Sequence, residues 1–462
     1  MTSKLFRTSV IIAICIFLVI FPSCMKKKPG EQKPSEKSGM TEVVNLEWVK
    51  NATIYEVNIR QYTPEGTFDA FAEHLPRLKD LGVDILWLMP IHPIGEKNRK
   101  GELGSYYSVR DYTTVNPEFG DMDDFKALVS QVHKLGMHII IDWVPNHTAW
   151  DNPWATDHPD WYKQDEEENF VSPFDWTDVI QLDYDNHQMR QAMIDAMKFW
   201  LAEADIDGFR CDVAHMVPVD FWNESRMALD AVKAIFYLAE ADQPFLHEKA
   251  FDATYGWPFH HLMNEIAKGN KTAKAISHHF NRVDSTYPGG SIIMQFTSNH
   301  DENSWNGTVW ERLGDAVETF AVLSFTVPGM PLIYNGQEAG LDERLEFFVK
   351  DTIEWQDHEL FSFYQSLISL KKRNKALWNG VHGGTLTRVT STDNISVYAF
   401  LREKEEDKVF VILNLSDKPV EVTLKGDKYI GDYMNIFNGE NVTFKENAEV
   451  SLEPWKYIVC ER

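Results

Sequence analysis

The sequence has few cysteines, and their positions exclude two kinds of site. Only four of its 462 residues are cysteine, and two of them, Cys15 and Cys24, fall at the very start. The remaining pair, Cys211 and Cys460, gives no disulfide framework and no cysteine-based metal site. We expect both of these thiols to be free and buried.

Basic residues are also scarce. Lys and Arg number 45 against 70 Asp and Glu, a formal net charge of −25. Nucleic acids and anionic lipid surfaces both attract an excess of basic residues, so neither is an expected partner. Internal repeats and glycine-rich nucleotide motifs are missing as well. The hydrophobic fraction of 44% is that of an ordinary globular protein with two or three domains.

The one long apolar run lies near the start, from Val10 to Phe21, and follows two basic residues. It is too short to span a membrane comfortably and has the layout of an export signal. Cys24 follows a small residue, as at a bacterial lipoprotein cleavage site, although Phe21 stands where Leu is usual. An ordinary signal peptide is the alternative. We predict a signal over 1–23, lipidation of Cys24 and a polar linker over 24–45. The expected location is the bacterial cell envelope, as a lipid-anchored protein that touches the membrane only through its anchor, or otherwise a secreted or periplasmic one.

Strand-like and helix-like segments alternate through most of the rest of the chain. Alternation of this kind predicts a parallel sheet with crossover helices, and about eight repeats predict a closed (β/α)8 TIM barrel over 46–376. The predicted strands are 53–59, 85–90, 138–144, 208–214, 235–241, 253–257, 291–300 and 331–335. The predicted helices include 68–81, 122–135, 188–202 and 313–324.

Two segments depart from this alternation. Residues 148–180 are rich in Trp, Asp, Asn and Pro and too long for an ordinary loop, so we expect a small inserted domain over the site. Over 377–462, short β-branched runs are separated by turn residues. This pattern predicts a C-terminal antiparallel β-sandwich domain.

Acidic residues stand where three of the predicted strands end. The carboxyl ends of parallel barrel strands share one rim, where barrel enzymes keep their chemistry. Arg210 lies two residues before one of these acids and should point the same way, whereas Cys211 should face outward into packing. A single acid would be an ordinary polar strand end, but three, with His147 and His300 close by, predict a catalytic site. The three acids are Asp212, Glu240 and Asp301.

The segments around these residues resemble the α-amylase family of glycoside hydrolases, family 13. Four blocks occur in order and with the family's spacing: DWVPNH (142–147), GFRCDVAH (208–215), Glu240 within LAEAD, and FTSNHD (296–301). Two further stretches, YYSVRDYTTVNPEFG (106–120) and PLIYNGQE (331–338), also match.

The resemblance implies a retaining mechanism with Asp212 as the nucleophile, Glu240 as the general acid/base and Asp301 as a third acid that holds sugar hydroxyls. Such an enzyme needs one ionised carboxylate to attack the anomeric carbon and one protonated carboxyl to protonate the leaving oxygen. We expect Arg210 to lower the pKa of Asp212. Glu240 has no cation beside it in sequence and is expected to hold its proton.

The resemblance also implies a set of substrate contacts. Tyr107 would stack beneath the ring at the cleavage point, and His147 and His300 would donate hydrogen bonds to its hydroxyls. The residues implied to bind substrate are Tyr107, His147, Arg210, His215 and His300.

Two departures from the family pattern bear on metal and substrate. Many members bind calcium through the residue equivalent to Asn146 and an Asp that falls here on Gln181, with Asp183 two residues on. A hard cation prefers several charged oxygens, so no cofactor is expected and calcium is disfavoured. His215 and Met216 stand where starch-degrading members often have Lys-His, which favours short maltooligosaccharides over long polymers.

The expected function is cleavage of α-1,4-glucosidic bonds in starch-derived glucans or maltooligosaccharides. An exo-acting α-glucosidase, a cyclodextrin- or pullulan-degrading enzyme and a transglycosylase would share the same catalytic residues. An alternative of a different class, a non-catalytic glucan-binding lipoprotein, predicts the loss of a catalytic acid, and none is lost.

Overall fold

The computed structural model describes residues 46–462. The predicted signal, the predicted linker and Cys24, the predicted lipidation site, lie outside the described residues. In the described part of the chain, no helix is long and apolar enough to cross a membrane.

Eight parallel strands form a closed barrel, which confirms the predicted fold class. Around the barrel the order is β1-β10-β9-β8-β7-β6-β3-β2, and β4 pairs with β5 in a separate two-stranded sheet. The strands of this part are β1 Ile54–Val57, β2 Ile85–Leu88, β3 His138–Trp143, β4 His147–Ala149, β5 Val179–Gln181, β6 Gly208–Cys211, β7 Phe236–Ala239, β8 Ala253–Tyr255, β9 Ile292–Gln295 and β10 Met330–Tyr334. All eight predicted barrel strands are present.

Side chains that alternate along each strand divide the core into two layers. The barrel interior is filled by large apolar residues from seven strands, such as Trp87, Phe236 and Met294. On β6 the inward positions are Gly208 and the fully buried Arg210. Cys211 faces the outer layer of strands and helices, as predicted. A Cβ at Gly208 would lie 1.9 Å from the Phe236 carbonyl oxygen, so only glycine lets β6 approach β7 this closely.

Helices surround the barrel, and two predicted helices prove to be interrupted. Over 68–81 the chain forms two short helices, the second with Pro76 in its first turn. Near 313–324 the chain breaks at Gly314, whose φ is +55°, before the main helix starts at Val317. The helices are α1 Ile59–Tyr62, α2 Phe68–Ala72, α3 Leu75–Leu81, α4 Met122–Lys134, α5 Pro153–Asp157, α6 His187–Ala204, α7 Val219–Asp230, α8 Trp257–Ala267, α9 Lys274–Thr286, α10 Val309–Leu313, α11 Val317–Thr326 and α12 Glu359–Arg373.

The segment between β3 and α6 projects from the barrel rim. Its base is the antiparallel pair β4–β5, in which His147 is opposite Gln181. We call residues 147–181 the excursion. The excursion is joined to the loop after β2 by a hydrogen bond from the Ala149 N–H to the Val109 carbonyl, 2.9 Å long.

The C-terminal part is an eight-stranded antiparallel sheet in the order β16-β15-β18-β13-β12-β11-β14-β17. It packs on α11 and α12, and the Arg402 guanidinium donates to the Thr326 carbonyl at 2.8 Å. The strands are β11 Thr385–Ser391, β12 Val397–Lys404, β13 Asp407–Asn414, β14 Val420–Lys425, β15 Gly431–Asn435, β16 Asn441–Phe444, β17 Glu449–Leu452 and β18 Tyr457–Glu461.

Candidate active site

The three predicted acids meet at the carboxyl-end rim of the barrel. Asp212 follows β6 directly, Glu240 follows β7 directly, and Asp301 comes six residues after β9. All three line one cavity of about 490 Å³. The closed parallel barrel therefore brings together at one rim residues that are far apart in sequence.

Arg210 is the centre of the charge network. Its Nη1 donates to both oxygens of Asp142, at 2.9 and 3.1 Å, and to Asp212 Oδ1 at 3.1 Å. Its Nη2 lies 3.1 Å from Glu240 Oε2. Its Nε donates to the Tyr255 hydroxyl. A single buried guanidinium thus serves three carboxyl groups.

Arg210 lowers the pKa of Asp212, as expected, but the net shift of this pKa is upward. Burial and the neighbouring Glu240 raise the pKa of Asp212 well above its usual range, and Arg210 only partly offsets them. Burial likewise raises the pKa of Asp142 to about 6, against the effect of Arg210. Sequence alone shows Arg210 beside Asp212 but not its two other partners.

Glu240 has no cation beside it in sequence, but the fold brings one to it. Neighbouring strands bring Arg210 to it, and the Val213 N–H donates to Glu240 Oε2 at 2.7 Å. Val213 has φ +37°, a strained value for a β-branched residue, and this turn aims its N–H at the carboxyl. Both contacts come from β6 and the turn that follows it, and they hold the Glu240 carboxyl group in place.

His300 is the second cation of the site. The sequence predicts it as a substrate contact but does not indicate its buried partner, Glu56. Its Nδ1–H donates to Glu56 Oε1 at 2.5 Å. Although burial opposes it, the carboxylates of Asp301 and Glu56 raise the pKa of His300 to about 9. Glu56 is an acid on an inward position of an otherwise apolar strand, a signal that could have identified it.

Tyr107 links the two cations. Its hydroxyl accepts a hydrogen bond from His300 Nε2 at 2.8 Å and donates to Asp142 Oδ2 at 3.0 Å. The Tyr107 ring lies nearly parallel to that of His300, with centroids 5.5 Å apart, and lines the cavity. The ring is thereby held in place as a flat floor on which a sugar could stack.

His147 also lines the cavity, at the base of the excursion. Burial lowers its pKa to about 4, so the ring is neutral near pH 7. Its Nδ1 accepts from the Asn146 side-chain amide at 3.2 Å, which leaves Nε2 as the N–H donor.

The position at which relatives would hold calcium does not fit that ion here. The Asn146 amide group is turned to His147, and Gln181 offers no charge. Asp183 accepts a hydrogen bond from the Asp185 N–H within its own turn. Across residues 46–462 no group of three or more His, Cys, Asp or Glu is placed to hold a metal ion.

Two of the predicted substrate contacts do not line the cavity: Arg210 is fully buried, and His215 lies outside the lining. The turn at Val213 leads into a short 3-10 helix, Ala214–Met216, on which His215 is exposed. The cavity lining also includes Ser105 and several residues to which the sequence motifs assign no role. These residues are Lys100, Asp175, Trp176, Asp178, Val179, Val213, Trp305, Phe347 and Phe348.

Comparison with known families agrees with this geometry. The family model described as the α-amylase catalytic domain matches residues 20–179 and 157–354. The chain belongs to the α-amylase family. A second model, described as the maltogenic amylase C-terminal domain, matches residues 387–459. The predicted family and its enzyme class, glycoside hydrolase, are confirmed.

Several curated α-amylase family proteins are similar to most of the chain. An α-amylase of Haloarcula japonica is 28% identical over 82% of this chain, which spans 57% of that protein's length. A maltogenic α-amylase of Bacillus acidopullulyticus is 25% identical over 90% of the chain and 78% of its own length. A cyclomaltodextrinase of Geobacillus thermopakistaniensis is 25% identical over 85% of the chain and 70% of its own length.

Solved structures include similar α-amylases. The structure of a noncanonic maltogenic α-amylase from Thermotoga neapolitana has a TM-score of 0.83 and 32% identity, covering 90% of this chain and 99% of that one. An α-amylase from Lactobacillus plantarum has a TM-score of 0.81 and 30% identity over the same shares of each chain.

Proposed function

We propose that the chain is a retaining glycoside hydrolase that cleaves α-1,4-glucosidic bonds in starch-derived glucans or maltooligosaccharides. The observation that carries the proposal is the single guanidinium of Arg210, 3.1 Å from Asp212 and 3.1 Å from Glu240. Two carboxyl groups held by one guanidinium are close together. Retaining glycosidases need two carboxyl groups this close together. One attacks the anomeric carbon as a carboxylate, and the other protonates the oxygen that leaves that carbon.

In the proposed first step, a carboxylate oxygen of Asp212 forms a bond to the anomeric carbon. The bond from that carbon to the glycosidic oxygen breaks, and the proton of Glu240 moves to the leaving oxygen. In the second step, Glu240 removes a proton from water, whose oxygen displaces Asp212 from the anomeric carbon. Asp301 and the charged His300 hold hydroxyls of the ring, and Tyr107 supports its face.

For this mechanism the network must change when substrate binds. Burial and the neighbouring Glu240 raise the pKa of Asp212 well above its usual range, so the free site favours a protonated Asp212, whereas the first step needs this carboxyl group ionised. Arg210 lowers the pKa of Asp212, so a bound glucan that turned this guanidinium more fully toward Asp212 would favour the ionised nucleophile.

A second function within the family is favoured by the similarity to cyclomaltodextrinases. Cyclodextrin or pullulan cleavage, exo-action on α-glucosides and transglycosylation would all use the same acids. A non-catalytic glucan-binding protein is disfavoured, because all three acids are retained and share one cavity.

The proposed function is tested with maltoheptaose, by following the anomeric protons of the new ends by NMR. Retention predicts that the α-anomer appears first and converts to the β-anomer only by slow mutarotation. Initial formation of the β-anomer would contradict the mechanism, and failure to cleave any α-1,4-glucan would contradict the function.

We also propose that the mature protein is lipid-anchored through Cys24 in a bacterial cell envelope, with a secreted or periplasmic protein as the alternative. The support is in the sequence alone: a basic start, a short apolar run, and a polar linker after the cysteine. Radiolabelled palmitate should mark the parent protein but not a Cys24→Ser variant. A soluble, unlabelled parent with another N-terminus would contradict the anchor.

A further inference from the structure

The strand order separates the cavity into two sides. The loops after β2, β10 and β9 carry Tyr107, Phe347 and Asp301, whereas those after β6 and β7 carry Asp212 and Glu240. Glu240 is placed to protonate the leaving oxygen, so the departing part of the glucan belongs near β6 and β7. The part that stays on Asp212, the glycone, therefore extends toward the loops after β9, β10 and β2.

On the glycone side, the loop after β2 is joined to the loop after β10. The Leu103 N–H donates to the Phe348 carbonyl oxygen at 2.9 Å. A Cβ at Gly101 would lie 2.4 Å from the Phe348 Cβ, so this glycine allows the two loops to touch. Gly101 has φ +65°, a conformation that also favours glycine there.

The same loop is joined to the excursion by an ion pair at the cavity wall. Lys100 Nζ lies 3.0 Å from Asp178 Oδ1, and the Asp178 side chain is only 6% exposed. The Asp178 carbonyl accepts a hydrogen bond from Ser108 Oγ at 3.1 Å, which fixes its backbone to the loop after β2. Three segments, at 343–350, 97–105 and 175–179, thus form one continuous wall.

Inside this wall the cavity is lined by aromatic rings. Phe347 lies nearly parallel to Tyr107, with ring centroids 6.3 Å apart. Trp305 also lines the cavity and is half exposed, and its ring centroid lies 5.3 Å from that of Phe347. A sugar chain can follow these rings away from Tyr107 only as far as the wall.

The side of the leaving group has no comparable closure. Among the described residues, no hydrogen bond or ion pair connects the excursion to the loops after β6 or β7. The leaving-group side therefore lacks a link of the kind that joins the loops of the wall.

We propose that the wall closes the glycone end, so that the enzyme removes short oligosaccharides from the non-reducing ends of linear glucans. Lys100, Asp178 and Phe348 are the specificity-determining residues, because together they stop the glycone from passing beyond the wall. The inference rests on the proposed function of the same site and adds where along a glucan chain it cuts.

The test uses maltoheptaose with a fluorescent label at its reducing end, together with β-cyclodextrin, which has the same seven glucose units but no end. For the parent enzyme we expect the first labelled products to be shortened by one fixed number of units. We also expect the cyclic substrate to be cleaved at least tenfold more slowly. Labelled products of every length at the earliest times, or equal rates on both substrates, would overturn the inference.

Lys100→Ala removes the ion pair and should open the wall. For Lys100→Ala we expect the amount of labelled product from inner bonds to rise several-fold. The ratio of the rates on the linear and the cyclic substrate should fall. Lys100→Arg should give the same products as the parent. Lys126→Ala is the control, since it removes a Lys–Glu pair of similar lysine exposure, Lys126–Glu203 at 3.0 Å, outside the site. A folded Lys100→Ala enzyme with the parent's products would overturn the role of the pair. No cleavage of any α-glucan by the parent would contradict the proposed function itself.

Discussion

Strand β6 has an aspartate directly before it and another directly after it, and the two have opposite surroundings. Asp207, at the floor of the barrel, accepts hydrogen bonds from His133 Nε2, Lys233 Nζ and the Ile139 N–H at 2.8, 3.0 and 2.9 Å. Although burial opposes them, these contacts hold its pKa well below the usual range. Asp212, at the rim, shares one guanidinium with two other carboxyl groups, and its pKa is raised.

Asp207 has the surroundings of a charge that stabilises the fold, whereas Asp212 has those of a charge in a catalytic site. At the floor, His133 and Lys233 donate to the buried Asp207 and also contact Asp205, which is exposed. At the rim, two cations, Arg210 and His300, serve five carboxyl groups. These are Glu56, Asp142, Asp212, Glu240 and Asp301. Functional sites often keep such unbalanced clusters, at a cost in stability.

Replacing the rim aspartate should have the largest effect. Asp212→Asn removes the proposed nucleophile, and we expect kcat on maltoheptaose to fall roughly 10⁴-fold. The folded state should be as stable as the parent or more stable, because a carboxyl group is removed from an acidic cluster. Steady-state kinetics and thermal melting check both. Near-normal turnover by a folded variant would contradict the assignment.

The stability gain from Asp212→Asn should depend on pH. A carboxyl group whose pKa is raised in the folded state opposes folding above that pKa, and this opposition is absent below its unfolded value of about 3.9. The difference in melting temperature between variant and parent should therefore be largest near pH 7 and shrink toward pH 4. A gain that grows on acidification would contradict the raised pKa.

Glu240→Gln tests whether Glu240 is the proton donor, a role distinct from that of Asp212. Loss of the proton donor should slow maltoheptaose cleavage by roughly 10³-fold. An aryl α-glucoside with a good leaving group needs little protonation, so formation of its glycosyl-enzyme should slow much less. Stopped-flow release of the aryl group measures this step. Equal slowing on both substrates would mean that Glu240 does not donate the proton.

The floor aspartate should show the reverse pattern. Asp207→Asn weakens charge-assisted hydrogen bonds to a buried group, and we expect a loss of about 2–3 kcal/mol in unfolding free energy. Activity per folded molecule should stay near the parent value. Because the pKa of Asp207 is lowered, its contribution is full above about pH 3.9 and is lost as pH falls through the folded value. Urea unfolding at pH 7 measures the loss. Unchanged stability together with lost activity would contradict the structural role of Asp207.

Chelation should have the smallest effect. Since Asn146, Gln181 and Asp183 form no hard-cation ligand set, EDTA should change melting temperature and activity little. A clear drop that calcium reverses would reveal ligands contributed by other groups.

The sequence predicted the barrel well because strand and helix periods are local. The eight strands and the outward direction of Cys211 follow from alternation along single segments. The interruptions at 73–74 and at Gly314 were missed because amphipathic spacing continues across them.

The site was predicted less completely, because its properties depend on contacts between strands. The motifs identified Asp212, Glu240 and Asp301, which share one cavity. They did not show that Arg210 also reaches Glu240. Nor could they place the wall formed by Lys100 and its partners, since it depends on how three irregular loops meet.

The central claim is that Asp212 becomes the covalent nucleophile at the rim. It is tested most directly by trapping the enzyme with a 5-fluoro-α-glucosyl fluoride and sequencing the labelled peptide by mass spectrometry. We predict one added sugar on the peptide that contains Asp212, and none in Asp212→Asn. A sugar attached to Asp301 or Glu240 instead would contradict the claim.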